Sequence, residues 1–270
     1  MIWLNGALLR DDEALISALD HGITVGDGVF ETLRTYGGVP FAVRRHLDRM
    51  ERSASGLGLV LPARALLEQA LAEVVEASGL PDARVRLTVT TGTGPLGSGR
   101  GESRPTVIAA VSALDPIPAT TSVITVPWVR NERSPLAGLK TTSYGENVVA
   151  LARAHEGGAS EALFANTRGE LCEGTGTNVF VVLRGRLLTP PLSSGCLAGI
   201  TRELVLEVCD VTEEAIPFEA LTDAEEIFLT SSLREVQSVH LVDERQVPGG
   251  HATSAAAKAY RALVDAGSDP

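Results

Sequence analysis

Lysine and arginine part company where chemistry is concerned. A desolvated lysine can shed its proton and attack a carbonyl carbon, whereas a guanidinium stays charged. This chain has 21 arginines and only two lysines, Lys140 and Lys258, so a lysine here is a candidate nucleophile. Lys140 follows the weakly polar stretch PLAGL and precedes Thr141, Thr142 and Ser143, a setting that suits a partly buried amine among hydrogen-bonding groups. Lys258 sits in an alanine-rich helical pattern and reads as surface charge. An amine that forms a Schiff base needs an aldehyde partner, and pyridoxal phosphate as that partner would ask three further things of the chain. Its ring nitrogen wants a carboxylate that keeps it protonated. Its phosphate wants a helix N-terminus and a cation. In LCEGTGTNVF, Glu173 stands just before a Gly/Thr-rich turn that leads into a strand, and in LAGITRELVLEV, Gly199, Ile200 and Thr201 open an amphipathic helix. Arg49 lies one helical turn from Arg45 in RRHLDRM, and Ser231 and Ser232 stand at a strand end in FLTSSLREV.

These residues need elements to hold them. IWLNGALL reads as a hairpin, and VFETLRTYGGVPFAV as two strands around Gly37-Gly38. Helical spacing runs through RRHLDRMERSASGLGL and again through ARALLEQALAEVVEASG. RVRLTVTTG and TVIAAVSAL follow as strands on either side of a glycine-rich loop. Strands, helices and strands in that order predict an α+β first half over 1–114. The two prolines and small polar residues of DPIPATTS mark 115–122 as a linker, with a larger cofactor-binding domain over 123–270. That second half predicts a helix near 145–156, strands in EALFAN, NVFVVLRGRLLTP and EEIFLTS, and helices in TRELVLEVC and SAAAKAYRALVDA. No internal repeat is present.

In order along the chain, HGITVGDGVFETLR, RRHLDRM, GLKTTSYGENV, CEGTGTNVF, LAGITRELV and FLTSSLREV resemble the class IV, or fold-type IV, pyridoxal-phosphate enzymes. That family holds the branched-chain and D-amino-acid aminotransferases and aminodeoxychorismate lyase. The resemblance implies that Lys140 carries pyridoxal 5'-phosphate and shuttles the proton, and that Glu173 pairs with the pyridine nitrogen. Arg49, Ile200, Thr201 and Ser232, with Ser231 beside it, would hold the phosphate. It also implies a small α+β domain, a larger domain with a pseudo-barrel, a cofactor in the cleft between them, and a homodimer that completes the site. The D-amino-acid enzymes trap the substrate carboxylate with an Arg-x-His pair, which the loop TGTGPLGSGRGES lacks. Branched-chain enzymes carry an arginine six residues before the strand-ending glycine, and Arg86 stands six before Gly92. Phe30, Arg86 and Arg100 are therefore the substrate-side candidates. Chain length and KTTSY resemble the aminodeoxychorismate lyases most. The first expectation is thus a lyase that converts 4-amino-4-deoxychorismate to 4-aminobenzoate and pyruvate in the folate pathway. The second is a class IV aminotransferase acting on branched-chain or D-amino acids.

Bulk properties exclude other classes. A formal net charge of −11 argues against a nucleic-acid or anionic-membrane surface and for a small-molecule partner. No apolar run reaches the roughly 18–20 residues of a membrane span, and MIWLNGALLRDDEA lacks a signal-peptide layout, which predicts a cytoplasmic enzyme. Three cysteines without C-x-x-C spacing, Cys172, Cys196 and Cys209, predict buried thiols, with neither disulfides nor a metal site. GTGPLG satisfies a G-x-G-x-x-G pattern, but Pro95 and the following GSGRG deny it the helix that a dinucleotide site requires.

Overall fold

The computed structural model describes residues 1–102 and 104–270. The chain divides into two compact units: Met1–Asp115 with Leu139–Tyr144 and Gly267–Pro270, and Pro116–Gly138 with Gly145–Ala266. The break at Asp115 falls at the start of the expected linker. The single boundary foreseen there does not contain the two later returns to the first unit, one of which carries Lys140.

In the first unit, β1 (Ile2–Leu4) and β2 (Ala7–Leu9) form the expected hairpin, and a single turn, α1 (His21–Thr24), precedes β3 (Gly28–Tyr36). The short β4 (Val39–Pro40) turns back on β3, and two helices follow, α2 (Val43–Leu57) and α3 (Arg64–Ser78). Strands β5 (Ala83–Thr90) and β6 (Thr106–Ala113) complete an antiparallel sheet in the order β2-β1-β6-β5-β3-β4. Alternation along β5 places Val85, Leu87 and Val89 in the core and leaves Arg84 and Arg86 on the other face, as period-2 geometry requires. The helices supply Leu47, Met50, Leu67, Leu71 and Val74 to the same core at spacings of three and four.

The second unit begins with β7 (Thr120–Arg130), whose first three residues lie inside the stretch expected to be linker. They become strand because a later strand, Glu235–Val242, pairs with them, and from Val123 onward β7 is paired on its other edge as well. One neighbour is β8 (Glu161–Asn166), reached through α4 (Gly145–Glu156), and β9 (Leu171–Gly174), β10 (Asn178–Leu183) and β11 (Arg186–Thr189) follow. Helix α5 (Ile200–Val208), β12 (Thr212–Glu213), β13 (Glu226–Ser231), β14 (Glu235–Val242), β15 (Arg245–Gln246) and α6 (His251–Ala266) complete the unit. The curled sheet runs β12-β11-β10-β13-β14-β7-β8-β9, with β15 on β14, and β7 pairs in parallel with both β8 and β14. The β7–β8 register shifts between Thr125 and Val129, around Pro127, which has no N–H for the ladder. Pairing resumes at Val129, opposite Ala165, and continues to Arg130, opposite Asn166. Leu163, Val179, Val181, Ile227, Leu229 and Val239 centre the core. Among the described residues no helix is long and apolar enough to cross a membrane. Cys172 and Cys196 are buried as expected, and burial raises both thiols, Cys196 to about 12; Cys209 is only partly covered.

Candidate active site

Five of the expected site residues lie in the first unit: Phe30, Arg49, Arg86, Arg100 and Lys140. The segment carrying Lys140 is stitched alongside β3. Phe30 N donates to Lys140 O at 3.1 Å, Thr142 N donates to Gly28 O at 2.8 Å, and Lys140 N donates to Ser53 Oγ on α2 at 3.0 Å. The Thr142 and Ser143 hydroxyls donate to Gly26 O at 2.8 and 3.0 Å. The small hydroxyl residues after the lysine thus fasten its backbone. Lys140 Nζ lies 4.4 Å from the centre of the Phe30 ring and 5.8 Å from that of Tyr144, and the two rings meet edge to face at 5.2 Å. Arg86 Cζ lies 3.7 Å from the same Phe30 centre, which bounds the distance between the two cationic groups at about 8 Å. Arg86 has no carboxylate partner among the described residues; its one hydrogen bond is a long one to Thr88, 3.4 Å.

Arg100 takes no comparable position. Its Nε and Nη2 donate to Asp27 at 2.7 and 2.8 Å, and its other contacts are the Leu57 and Gly58 carbonyls. Although burial opposes it, these contacts hold the Asp27 carboxyl below its usual range. Arg100 therefore anchors its loop to α2.

Arg49 is buried, and its Nε and Nη2 donate to Glu31 at 2.8 and 2.6 Å. His46 Nδ1 lies 2.6 Å from the same carboxylate. Burial by itself would raise the Glu31 pKa, but the Arg49 charge and hydrogen bonds, with those of His46, lower it to about 2. Burial first, then the charges of Arg49 and Lys140, lower the His46 pKa against the pull of Glu31, so a neutral imidazole donates to the carboxylate. The RRHLDRM motif announces Arg49. The partners Glu31 and His46 carry no local signal, because their contact joins β3 to α2.

The second unit holds Glu173, Ile200, Thr201, Ser231 and Ser232. Glu173, on β9, accepts from Leu197 N at 2.9 Å, and its other oxygen lies 3.4 Å from Arg130 Nε. Arg130 in turn reaches Glu146 at 3.1 Å and covers the Phe164 ring at 4.1 Å. Leu197 O accepts from Asn178 Nδ2 at 2.8 Å, and two residues later Gly199 begins α5 in an extended conformation without a side-chain cap. A Cβ there would lie 2.0 Å from Asn178 Oδ1, so any larger residue would have to displace the Asn178 side chain. One short loop therefore sets both the acid and an uncapped helix N-terminus, beside the start of β10 and the end of β13, where Asn178 faces Thr230. Among the described residues the buried Thr230 hydroxyl has no hydrogen-bond partner. Ser231 Oγ already accepts from Arg234 N at 3.1 Å, a backbone-satisfying role. A carboxylate at one end of a loop and open helix amides at the other fit a ring whose nitrogen needs an anion and whose substituent is a phosphate. Among the described residues no cluster suits a metal ion.

The family model described as amino-transferase class IV matches residues 28–242. A putative branched-chain-amino-acid aminotransferase of Methanocaldococcus jannaschii is 33% identical over 257 residues, covering 91% of this chain and 89% of that protein. The aminodeoxychorismate lyase of Bacillus subtilis is 30% identical over 275 residues, covering 97% and 94%. Among solved structures, the branched-chain aminotransferase of Thermoproteus uzoniensis with norvaline superposes with a TM-score of 0.92 at 31% identity, over 97% of this chain and 94% of that one.

Proposed function

Because the chain belongs to the class IV aminotransferases, we propose that it is a pyridoxal-phosphate enzyme that exchanges the amino group of an α-amino acid with a 2-oxo acid, Arg86 taking the substrate's carboxylate. The observation that carries this reading is the pair of cationic groups on one aromatic ring, Arg86 without a carboxylate partner and Lys140 within about 8 Å of it. An α-carboxylate is attached to the very carbon that bears the amine. The ring carboxylate of 4-amino-4-deoxychorismate lies across the ring from its amine. A guanidinium this near the lysine suits the first arrangement better, although the lyase was the first expectation.

Enzymes of this family use pyridoxal phosphate, which when bound supplies a protonated ring that takes up the electron pair left as the substrate's Cα–H bond breaks. Lys140 would hold the cofactor by its aldehyde, and its free amine would take the proton from the amino acid's Cα and, in the second half of the exchange, deliver one to Cα of the product formed from the 2-oxo acid. The Phe30 and Tyr144 rings flank that amine and limit water around it. Glu173, fixed by Leu197 N–H, serves the ring nitrogen. The first amides of α5 at Ile200 and Thr201, with Arg49 aligned by Glu31, serve the phosphate, and Ser231 and Ser232 shape its far side. Arg86 orients the substrate by its carboxylate, so that one Cα–H bond faces Lys140. A cytoplasmic homodimer belongs to the same reading. The exposed Trp128, Val129, Val148 and Val149 support the dimer, and sedimentation at two concentrations checks it.

The lyase remains the second reading, favoured by the near end-to-end match to the Bacillus subtilis enzyme and by the missing Arg-x-His pair. The test is a panel of D- and L-amino acids with 2-oxoglutarate, run beside 4-amino-4-deoxychorismate with pyruvate detection. Transamination that Arg86→Ala weakens mainly through a higher KM is expected. Release of 4-aminobenzoate and pyruvate without amino transfer would replace the first reading with the second.

A further inference from the structure

We propose that Glu161 is a positioning residue for Glu173, holding the Glu173–Thr177 turn through a carboxylate that has no cationic partner. Glu161 begins β8 and is 2% exposed, yet among the described residues no Arg, Lys or His forms an ion pair with it. Neutral groups surround it instead. Oε1 accepts from Thr175 N at 2.8 Å, from the Thr175 hydroxyl and from Ala162 N at 3.0 Å, while Oε2 accepts from Thr177 Oγ1 at 3.2 Å and Gly176 N at 3.3 Å. Four of these five donors belong to the three residues that follow Glu173-Gly174. The turn is closed on itself by Gly174 N donating to Thr177 O at 2.8 Å, and is tied to α4 by Asn147 Nδ2 donating to Thr175 O. Gly174 leaves no room for slack, since a Cβ there would lie 2.2 Å from Thr177 Oγ1 and 3.1 Å from Glu161 Cδ.

Every group facing Glu161 donates, so the site calls for an acceptor at both oxygens. Glutamine, nearly the same shape, would turn an NH2 toward donors and leave amide or hydroxyl hydrogens without an acceptor. The turn would loosen, and Glu173, one residue from its start on β9, would lose its fixed approach to Leu197 N. Glu161 thus acts on the chemistry only through Glu173, and the proposal rests on the reading that Glu173 serves the ring nitrogen.

The experiment is a double-mutant cycle in the holoenzyme, Glu161→Gln with Glu173→Gln, together with amide hydrogen exchange of the apoprotein. Glu161→Gln is expected to lower kcat roughly 10- to 100-fold with little change in KM. It should move the pH dependence of the bound cofactor's absorbance in the direction that Glu173→Gln moves it, and speed exchange at Thr175 and Gly176. In the Glu173→Gln background it should cost no further activity, because an effect transmitted through Glu173 disappears when Glu173 is gone. If Glu161→Gln does not fold, Thr177→Val, which removes one donor, should give a smaller loss with the same non-additivity. Wild-type kcat in Glu161→Gln beside a slowed Glu173→Gln, or losses that multiply in the double variant, would overturn the role of Glu161 alone. Wild-type kcat in Glu173→Gln would overturn the ring-nitrogen reading and the role of Glu161 with it.

Discussion

Two buried carboxylates, Glu31 in the first unit and Glu161 in the second, are held by opposite means. Glu31 in the first unit is gripped by Arg49 and His46, a charged cluster that includes a titratable partner. Glu161 in the second is satisfied by backbone amides and threonine hydroxyls alone. The difference lies in what each holds. Glu31 aligns a long, buried charged side chain, whose charge an opposite charge offsets, while Glu161 shapes a backbone turn, for which several weak, directional bonds suffice. Charge makes the first arrangement stronger and more costly to break, while the second depends on the number and direction of its neutral donors.

The largest expected effect is from Glu31→Ala or Arg49→Ala, each of which leaves a buried charge without its main partner and should destabilise the protein by about 3–5 kcal/mol in denaturant unfolding. A loss of that size would make Arg49→Ala a folding variant before it is a cofactor-binding one, so Arg49→Lys is the variant that reads the phosphate contact. Values below 1 kcal/mol would mean that the cluster is solvated and that the contrast fails.

Acid should test the first arrangement next. The folded-state pKa values of Glu31 and His46 both lie below their unfolded values, so the unfolded chain binds protons more readily and stability falls as the pH falls. The His46 share is lost below about pH 6.5, and the Glu31 share between about 4.5 and about 2, roughly 3 kcal/mol for Glu31. Unfolding midpoints measured at stepped pH should decline through both windows, and the lower step should vanish in Glu31→Gln.

Glu161→Gln should destabilise less, by about 1–3 kcal/mol, because it disorders a turn without exposing a charge. Smallest is Thr201→Ala, which should weaken cofactor affinity by about 0.5–1.5 kcal/mol at unchanged saturated turnover, since the phosphate takes no part in bond breaking. Equilibrium titration of the apoprotein with cofactor reads it directly. A turnover loss with affinity intact would assign Thr201 to the substrate instead.

Of the elements around the two arrangements, β3, α2, α4 and β8 were legible in the sequence while the short β9 was not, and neither were the contacts between elements. Periodicity marks α2 and β3 separately, but nothing in VFETLR says that Glu31 will meet residues 15 and 18 positions later. Arg130 reaches Glu173 across 43 residues through parallel pairing of β7 with β8, which leaves no short-range trace. Thr120–Ser122 read as linker because small polar residues do, and they form strand only because residues of β14, over a hundred positions on, are there to pair. Arg100 shows the same gap: its glycine-rich loop carries no sign of Asp27, 73 residues earlier, which engages it.

The central claim is that Lys140, carried beside Phe30 by the first unit, is the amine that holds the cofactor. Borohydride reduction of the holoenzyme followed by peptide mapping tests it most directly. The account predicts the cofactor's mass on the Lys140 peptide and nowhere else, with both the label and the visible absorbance absent in Lys140→Arg, which keeps the charge but cannot attack an aldehyde. Label on Lys258, or undiminished label in Lys140→Arg, would contradict it.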